Sequence, residues 1–434
     1  MLNFKKKISK YKKFLVAFSG GIDSTVLLYK LLEIQKKKKI KIRAIHINHQ
    51  ISSKSNIWNQ HCKKICFKKN ISFIEEKIFL EGSNLECKAR KKRYKLFKKH
   101  LLNNEVLLTG HNLNDQCETL ILAIKRGSGP QGLSGISYKK KFYKNILIRP
   151  LLKFSRKEIK NWAYKKKIKW INDKSNYNIS YDRNFIRHKI IPILTNRWKY
   201  FQKNCFRTTK LIQNENIVLK NFIKPIVKKN LFKKKCLNLK KIKKLDLKIQ
   251  HIIVRKWMNI NKISIPSLTL LKNIFKSVIY NTKKKNPKII FKKYKIWNYK
   301  DYLFCIKNTP NVKNNIIFWY PPYKKLILPN NLGYLKIKNK KYTKKETRIK
   351  KPKKNQLVII KFQTNKKFQT KNNKKKLKKM FNELKIPPWK RKKIPLLFYN
   401  DKFISIIGKC VTQKKYNKNQ KKISIIWNKK TKKH

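Results

Sequence analysis

The chain has 434 residues, 41% hydrophobic and 12% aromatic, enough for two or three domains with real cores, which excludes a disordered basic tail. Lys and Arg number 116 against 18 Asp and Glu, a formal net charge of +98, so a polyanion such as nucleic acid is a natural partner. Lys, Asn, Ile, Phe and Tyr, the residues of A/T-rich codons, crowd the whole chain, so solvated lysine is the alternative reading and each acid that remains stands out.

Up to about residue 195, strand and helix patterns alternate. FLVAF (14–18), IRAIHIN (42–48), ISFIEEKI (71–78) and VLLTG (106–110) read as strands; 24–35, 55–69, 86–101 and 113–125 read as helices. This alternation predicts an α/β fold with a doubly wound, mostly parallel sheet, which binds ligands beyond the carboxyl ends of its strands. SGGIDS (19–24), the His46–His49 stretch and GHNLND (110–115) all fall at such ends. Ser155 with Glu158 three residues later predicts a capping box. WINDKSN (170–176) reads as turns, and YDRNFIRHKIIP (181–192) as a helix stopped by Pro192. A helical pattern over 196–223 leads out of a first domain placed at 1–220.

A helix-rich second domain is expected at 225–320, a lysine-rich linker at 338–356, and an α+β C-terminal domain with a basic tail at 357–434. No apolar run approaches the roughly 18 residues of a membrane span. The eight cysteines include no C-x-x-C, so reduced, mostly buried thiols and a cytoplasmic location are expected.

SGGIDS carries the sharpest chemistry. Gly20 and Gly21 let the backbone approach a phosphate, and the amides of Gly21 through Thr25 open a helix toward an anion. Ser19, Ser24 and Thr25 add hydroxyl donors. Asp23 would repel phosphate unless a cation intervenes, which suggests Mg²⁺ held by Asp23. The G-x-x-x-x-G-K pattern of motor and GTPase sites is absent. An ordinary glycine turn capped by Asp is the bland alternative.

The strand–SGG-x-DS–helix unit resembles the PP-loop of the N-type ATP pyrophosphatases, which implies a Rossmann-like domain holding the pyrophosphate part of ATP during attack on the α-phosphorus. HINHQIS (46–52), ECKARKKRY (86–94), LLTGHNLNDQCETLILAIKRGSGPQGLSGI (107–136), IRPLL (148–152) and YDRNFIRHKIIP are similar, in order, to motifs of the tRNA(Ile)-lysidine synthetase family. LKKMFNELKIPPWKRKKIPLLFYNDKFISIIGKCVTQ (377–413) resembles that family's C-terminal domain, so the likeness spans nearly the whole chain. Asn114-Asp115 departs from the two adjacent acids often found there: either Asp115 alone is the acid, or Asn114 serves as a neutral hydrogen-bond partner.

The resemblance implies ATP and Mg²⁺ as cofactors, with free L-lysine and the CAU-anticodon tRNA(Ile) as partners. Adenylation of the wobble cytidine at O2 and attack of the lysine ε-amine on C2 would form lysidine. Decoding would change from AUG to AUA, and tRNA identity from methionine to isoleucine. ATP-binding residues are then Ser19, Gly20, Gly21, Ile22, Asp23, Ser24 and Thr25, with Arg90 and Arg93 beside Tyr94. Asp115 and Glu118, at i and i+3, are expected to bind lysine and help deprotonate it, unless they merely complement the helix dipole. Arg126 with the glycine-rich loop 127–135, and Asp182, Arg183, Asn184 and Arg187, are candidates for lysine or tRNA positioning. His46, His49 and His111 read equally well as structural, and Trp389 as either an RNA contact or core. A homodimer is compatible with the sequence, which leaves oligomeric state open.

Two rivals remain. A PP-loop thiolase commonly needs paired cysteines, which are missing here, and a PP-loop amidotransferase a glutaminase-like segment. A non-catalytic RNA-binding protein leaves SGGIDS and the acids Asp115 and Glu118 without a role.

Overall fold

The computed structural model describes residues 8, 10–48, 50, 55–79, 81–82, 85–232, 236–263, 266–308, 315–338, 347–353, 355–362, 371–411 and 422–429. The chain divides into two compact units, Met1–Phe222 and Ile223–His434.

The first unit runs β1 (Lys13–Ala17), α1 (Ile22–Gln35), β2 (Lys41–Asn48), α2 (Ser55–Lys68), β3 (Ser72–Lys77), α3 (Leu85–His100), β4 (Val106–Leu108) and α4 (Leu113–Lys125). A short α5 (Pro130–Leu133) and the hairpin β5 (Lys139–Phe142)–β6 (Asn145–Ile148) follow. The sheet order is β3-β2-β1-β4-β6-β5, parallel except for the edge strand β5. Both faces are covered, which is why these strands are apolar runs with little alternation. Phe14, Val16, Val106, Leu108 and Ile148 pack with α1 on one face; Leu15, Ile45, Leu107 and Leu147 pack with Phe97 of α3 on the other. The chain reverses its winding between β1 and β4, so a crevice opens at their carboxyl ends.

α6 (Arg156–Lys165) begins at the expected box: Ser155 N–H donates to Glu158 Oε2 at 2.8 Å, and Glu158 N–H donates to Ser155 Oγ at 3.2 Å. The segment 181–197 differs from expectation. Pro192 does not stop a helix; α7 (Asp182–Phe185) passes through a π-helical turn at Ile186–Ile190 into α8 (Ile191–Arg197), with Pro192 in its first turn. Proline lacks the N–H and crowds the carbonyl four residues back, and the wider turn absorbs both defects. α9 (Phe201–Asn230) then passes Pro225.

In the second unit, α10 (Leu239–Ile242), α11 (Leu247–Ile260) and α12 (Leu268–Ile274) pack on a five-stranded antiparallel sheet. Its order is β7 (Leu231–Phe232), β8 (Cys236–Asn238), β11 (Tyr302–Lys307), β10 (Tyr294–Tyr299) and β9 (Lys288–Phe291), around a core centred on the fully buried Trp257. Two further antiparallel sheets follow. One contains β12 (Ile316–Phe318), β16 (Val358–Lys361), β17 (Leu396–Tyr399), β18 (Lys402–Ile406) and β19 (Cys410–Val411). The other contains β13 (Leu326–Leu328), β14 (Gly333–Lys338), β20 (Lys422–Asn428) and β15 (Thr347–Lys350). β15 lies within the lysine-rich stretch 338–356, of which 339–346 and 354 fall outside the described residues. Trp389 is half-buried and packs its ring 4.7 Å from Phe304, 5.6 Å from Tyr299 and 5.7 Å from Trp297. Among the described residues no helix is long and apolar enough to cross a membrane.

Candidate active site at the carboxyl edge of the parallel sheet

The chain leaves β1 through Ser19, Gly20 and Gly21 and enters α1 at once. Gly20 sits at φ +80°, where a Cβ would lie 2.9 Å from Cys62 Sγ and 3.2 Å from Ile171 Cδ1, so only glycine fits. Ile171 N–H donates to Gly20 O at 3.0 Å, strapping the 170–172 loop beneath the turn. Gly21 caps α1 without a side chain, so the first-turn amides of Ile22, Asp23 and Ser24 have no acceptor within the helix. The Thr25 amide is already used, donating to Gly21 O at 3.0 Å. Thr25 is fully buried and its hydroxyl is bound to Gly20 O and Gly21 O, so it braces the loop instead of facing a ligand. Ile22 is an anchor in the core, and Ser19 Oγ lies 3.0 Å from Ser24 Oγ at the mouth of the turn.

Asp23 meets the start of α4 through Asn112, whose Nδ2 donates to Asp23 Oδ1 at 2.9 Å. Asn112 also caps α4: its Oδ1 accepts from Asp115 N–H at 3.0 Å, and its own N–H donates to Asp115 Oδ2 at 2.9 Å. Gly110 makes this approach possible, because a Cβ there would stand 3.0 Å from the Asp23 carbonyl carbon and 3.1 Å from Ser24 N. Burial and then the neighbouring Asp115 push the Asp23 carboxyl up to about 6, while Asn112, Arg156 and Arg187 act in the opposite direction. Burial also works to raise Asp115, but Arg183, His111, the Asn112 N–H and Arg187 outweigh it and hold that carboxyl below the usual range. A poorly compensated carboxylate at the mouth of an amide-lined loop fits a divalent cation shared with phosphate. Among the described residues, no three His, Cys, Asp or Glu side chains form a metal cluster of their own.

Asp115 and Glu118 are held by arginines from the helix that turns at Pro192. Arg183 donates to Glu118 Oε2 at 2.6 Å and Asp115 Oδ1 at 2.9 Å; Arg187 donates to Glu118 Oε1 at 2.6 Å and Oε2 at 3.1 Å. Glu118 is 0% exposed, whereas the Asp115 side chain keeps 15% of its surface at the crevice. Asn114 accepts from Arg156 N–H at 3.0 Å, a bond that a neutral amide makes as well as a carboxylate. Arg90 and Arg93 flank Tyr94, with guanidinium carbons 5.3 and 6.0 Å from its ring. Arg149 and His111 complete that group; burial pushes His111 down to about 3, with Asp115 opposing and Arg149, Arg183 and Arg93 adding to the shift.

Other expected residues stand apart. Arg126 is exposed at the far end of α4, about 16 Å from Asp115 at 1.5 Å per residue. Asp182 is exposed and pairs with Lys125 at 2.6 Å. Asn184 donates to Ser175 O and Asn178 O and pins the turn before α7. The 127–135 loop is braced: Gln213 donates to Ser134 O at 2.6 Å, Asn216 donates to Pro130 O at 2.9 Å, and Gln116 accepts from Ile136 N–H at 2.7 Å. His46 is buried with Nδ1 3.0 Å from Phe18 O, a structural role, and His49 lies outside the described residues. The sequence reading passed over Asn112, Gly110 and Arg149, although the N-cap spacing Asn112-x-x-Asp115 signals the first of them.

Residues 1–194 match the family model of the PP-loop domain, and residues 358–427 that of the TilS substrate C-terminal domain. A tRNA(Ile)-lysidine synthase of Buchnera aphidicola subsp. Acyrthosiphon pisum is 48% identical over 98% of this chain and 96% of its own. Those of Photorhabdus laumondii and Escherichia coli O157:H7 are each 32% identical over 98% of this chain, covering 96% and 99% of theirs. With identities of this size along nearly its full length, the chain belongs to the tRNA(Ile)-lysidine synthase family of ATP-using enzymes.

Proposed function

We propose that the protein ligates free L-lysine to C2 of the wobble cytidine of the CAU anticodon in tRNA(Ile), through a cytidine adenylated at O2, in the cytoplasm. The amides of Ile22, Asp23 and Ser24, with the Ser19 hydroxyl, hold the phosphates of ATP at the open end of α1, while the Ser24 hydroxyl donates to Gly21 O and braces the turn. Asp23 would hold Mg²⁺ against those phosphates, where the ion neutralises charge on the pyrophosphate. Asp115 stays ionised beside them, so it attracts and orients the cationic amine. Glu118, fully enclosed by Arg183 and Arg187, sets the positions of those two arginines and of Asp115; its place in the reaction is indirect.

One observation carries this reading: Asn112 bridges two carboxyls, Asp23 and the first-turn Asp115 of α4, at the open, amide-lined end of α1. The test is incubation with ATP, labelled lysine and either tRNA(Ile) with a CAU anticodon or the methionine tRNA. Label is expected on the isoleucine tRNA alone, with AMP and pyrophosphate released. ATP turnover without lysine transfer, or label on neither tRNA, would overturn the reading.

A further inference from the structure

Arg149 immediately follows β6 and is 5% exposed. Strand alternation puts it on the side of Leu147, toward Tyr94 and Phe97 of α3. Its Nη1 donates to Ser137 O at 2.6 Å, and its backbone N–H donates to Tyr138 O at 2.9 Å. Its Nε is buried and meets no acceptor among the described residues.

Three other arginines of this unit have carboxylates: Arg43 has Glu105, and Arg183 and Arg187 have Asp115 and Glu118. Among the described residues no carboxylate pairs with Arg149. Its charged neighbours are of its own sign, with Arg90 beside it and Arg93 nearby across Tyr94. A guanidinium taken out of water is costly unless an anion meets it. The combined field of Arg90, Arg149 and Arg93, with a hydrogen bond from Arg149, also outweighs burial and draws the Tyr94 hydroxyl below its usual range.

We propose that Arg149, with Tyr94 and Arg93 around it, is the seat of the α-carboxylate of the amino-acid substrate. The assignment rests on the lysine-ligation reading. Phosphates already have the glycine turn two strands away, and Arg149, 5% exposed, is out of reach of the diester backbone of folded RNA. His111 is within electrostatic reach of both Arg149 and Asp115, so the cationic seat and the acid share one neighbourhood. That is the complement of a zwitterion carrying a second amine: guanidinium for the carboxylate and Asp115 for the ammonium.

The test compares lysine with lysinamide, in which a neutral amide replaces the carboxylate, for the wild type, Arg149→Lys and Arg149→Gln. The wild type is expected to prefer lysine roughly ten- to a hundredfold in kcat/KM, the usual worth of a charge-assisted hydrogen bond. Arg149→Gln should bring that ratio close to one by losing lysine use alone, with the KM for ATP unchanged; Arg149→Lys should keep part of the preference. A wild type that ligates both amines equally overturns the assignment, whether or not the variants fold. So does an Arg149→Gln enzyme that loses both amines alike, the signature of a purely bracing residue, or one whose KM for ATP rises instead. A wild type that ligates neither amine sinks the lysine reading and this assignment together.

Discussion

Asn112 donates to Asp23 at 2.9 Å across 89 residues of sequence, so one amide ties the phosphate loop to the acid-bearing helix. The same side chain caps that helix on Asp115. Any shift of α4 is thereby transmitted to the mouth of α1.

Asn112→Ala removes both bonds. The lost cap should cost about 1 kcal/mol of stability. Pyrophosphate release should fall further than that loss explains, because Asp23 loses its hydrogen-bond donor and its carboxyl rises above about 6. Urea unfolding and a pyrophosphate assay check both; a variant with wild-type turnover would detach Asn112 from the site.

Asp23 opposes folding when it ionises. Its carboxyl is raised from 3.8 to about 6, so the folded state binds the extra proton between those values. Stability attributable to this group therefore falls as pH rises through that window. The deficit is absent below about pH 4 and complete above about pH 6, at up to about 3 kcal/mol from 1.36 kcal/mol per unit. Asp23→Asn should melt higher than the wild type at pH 8, match it near pH 4, and fail to release pyrophosphate. Unimpaired pyrophosphate release by this variant would remove Asp23 from the proposed cation site.

Glu118→Gln takes the enclosed carboxylate from the half-buried Arg183 and Arg187 and leaves their pairing with Asp115. Breaking such a pair by removing one partner costs about 3–5 kcal/mol. The denaturation midpoint should drop accordingly, and lysine KM should rise more than ATP KM as the arginines shift Asp115. An unchanged midpoint would mean that the cluster contributes no stability.

Gly110→Ala places a methyl about 3 Å from the Asp23 carbonyl and the Ser24 nitrogen. Both obstacles are backbone, so the start of α1 must move. Adenylation should fall by about tenfold or more, since an ångström of misplacement at a reacting centre is that costly. A phosphate-loop activity equal to the wild type would show that this close approach is dispensable.

Much of the site was readable because its signals are local. Gly20 at positive φ, the strand-to-helix turn and the Ser155–Glu158 box each depend on residues within a few positions of one another. Pro192 misled for the same reason: the local rule says stop, while burial of Ile186 and Ile191 against Cys117, Leu120 and Cys205 keeps the helix going through a π turn. The roles of Asp115 and Glu118 were legible only as a pair. Helical spacing puts them on one face, yet Glu118 is enclosed because Arg183 and Arg187 arrive from a segment 65 to 69 residues away.

The sequence by itself determined the parallel sheet, the phosphate turn and the family, since each is written in hydrophobic period and in short contiguous motifs. Only the tertiary structure decided which ionisable groups share a low-dielectric space. Asp23 rises and Asp115 falls because burial and neighbouring charge act through distance in space, and that distance is set by how the strands order side by side.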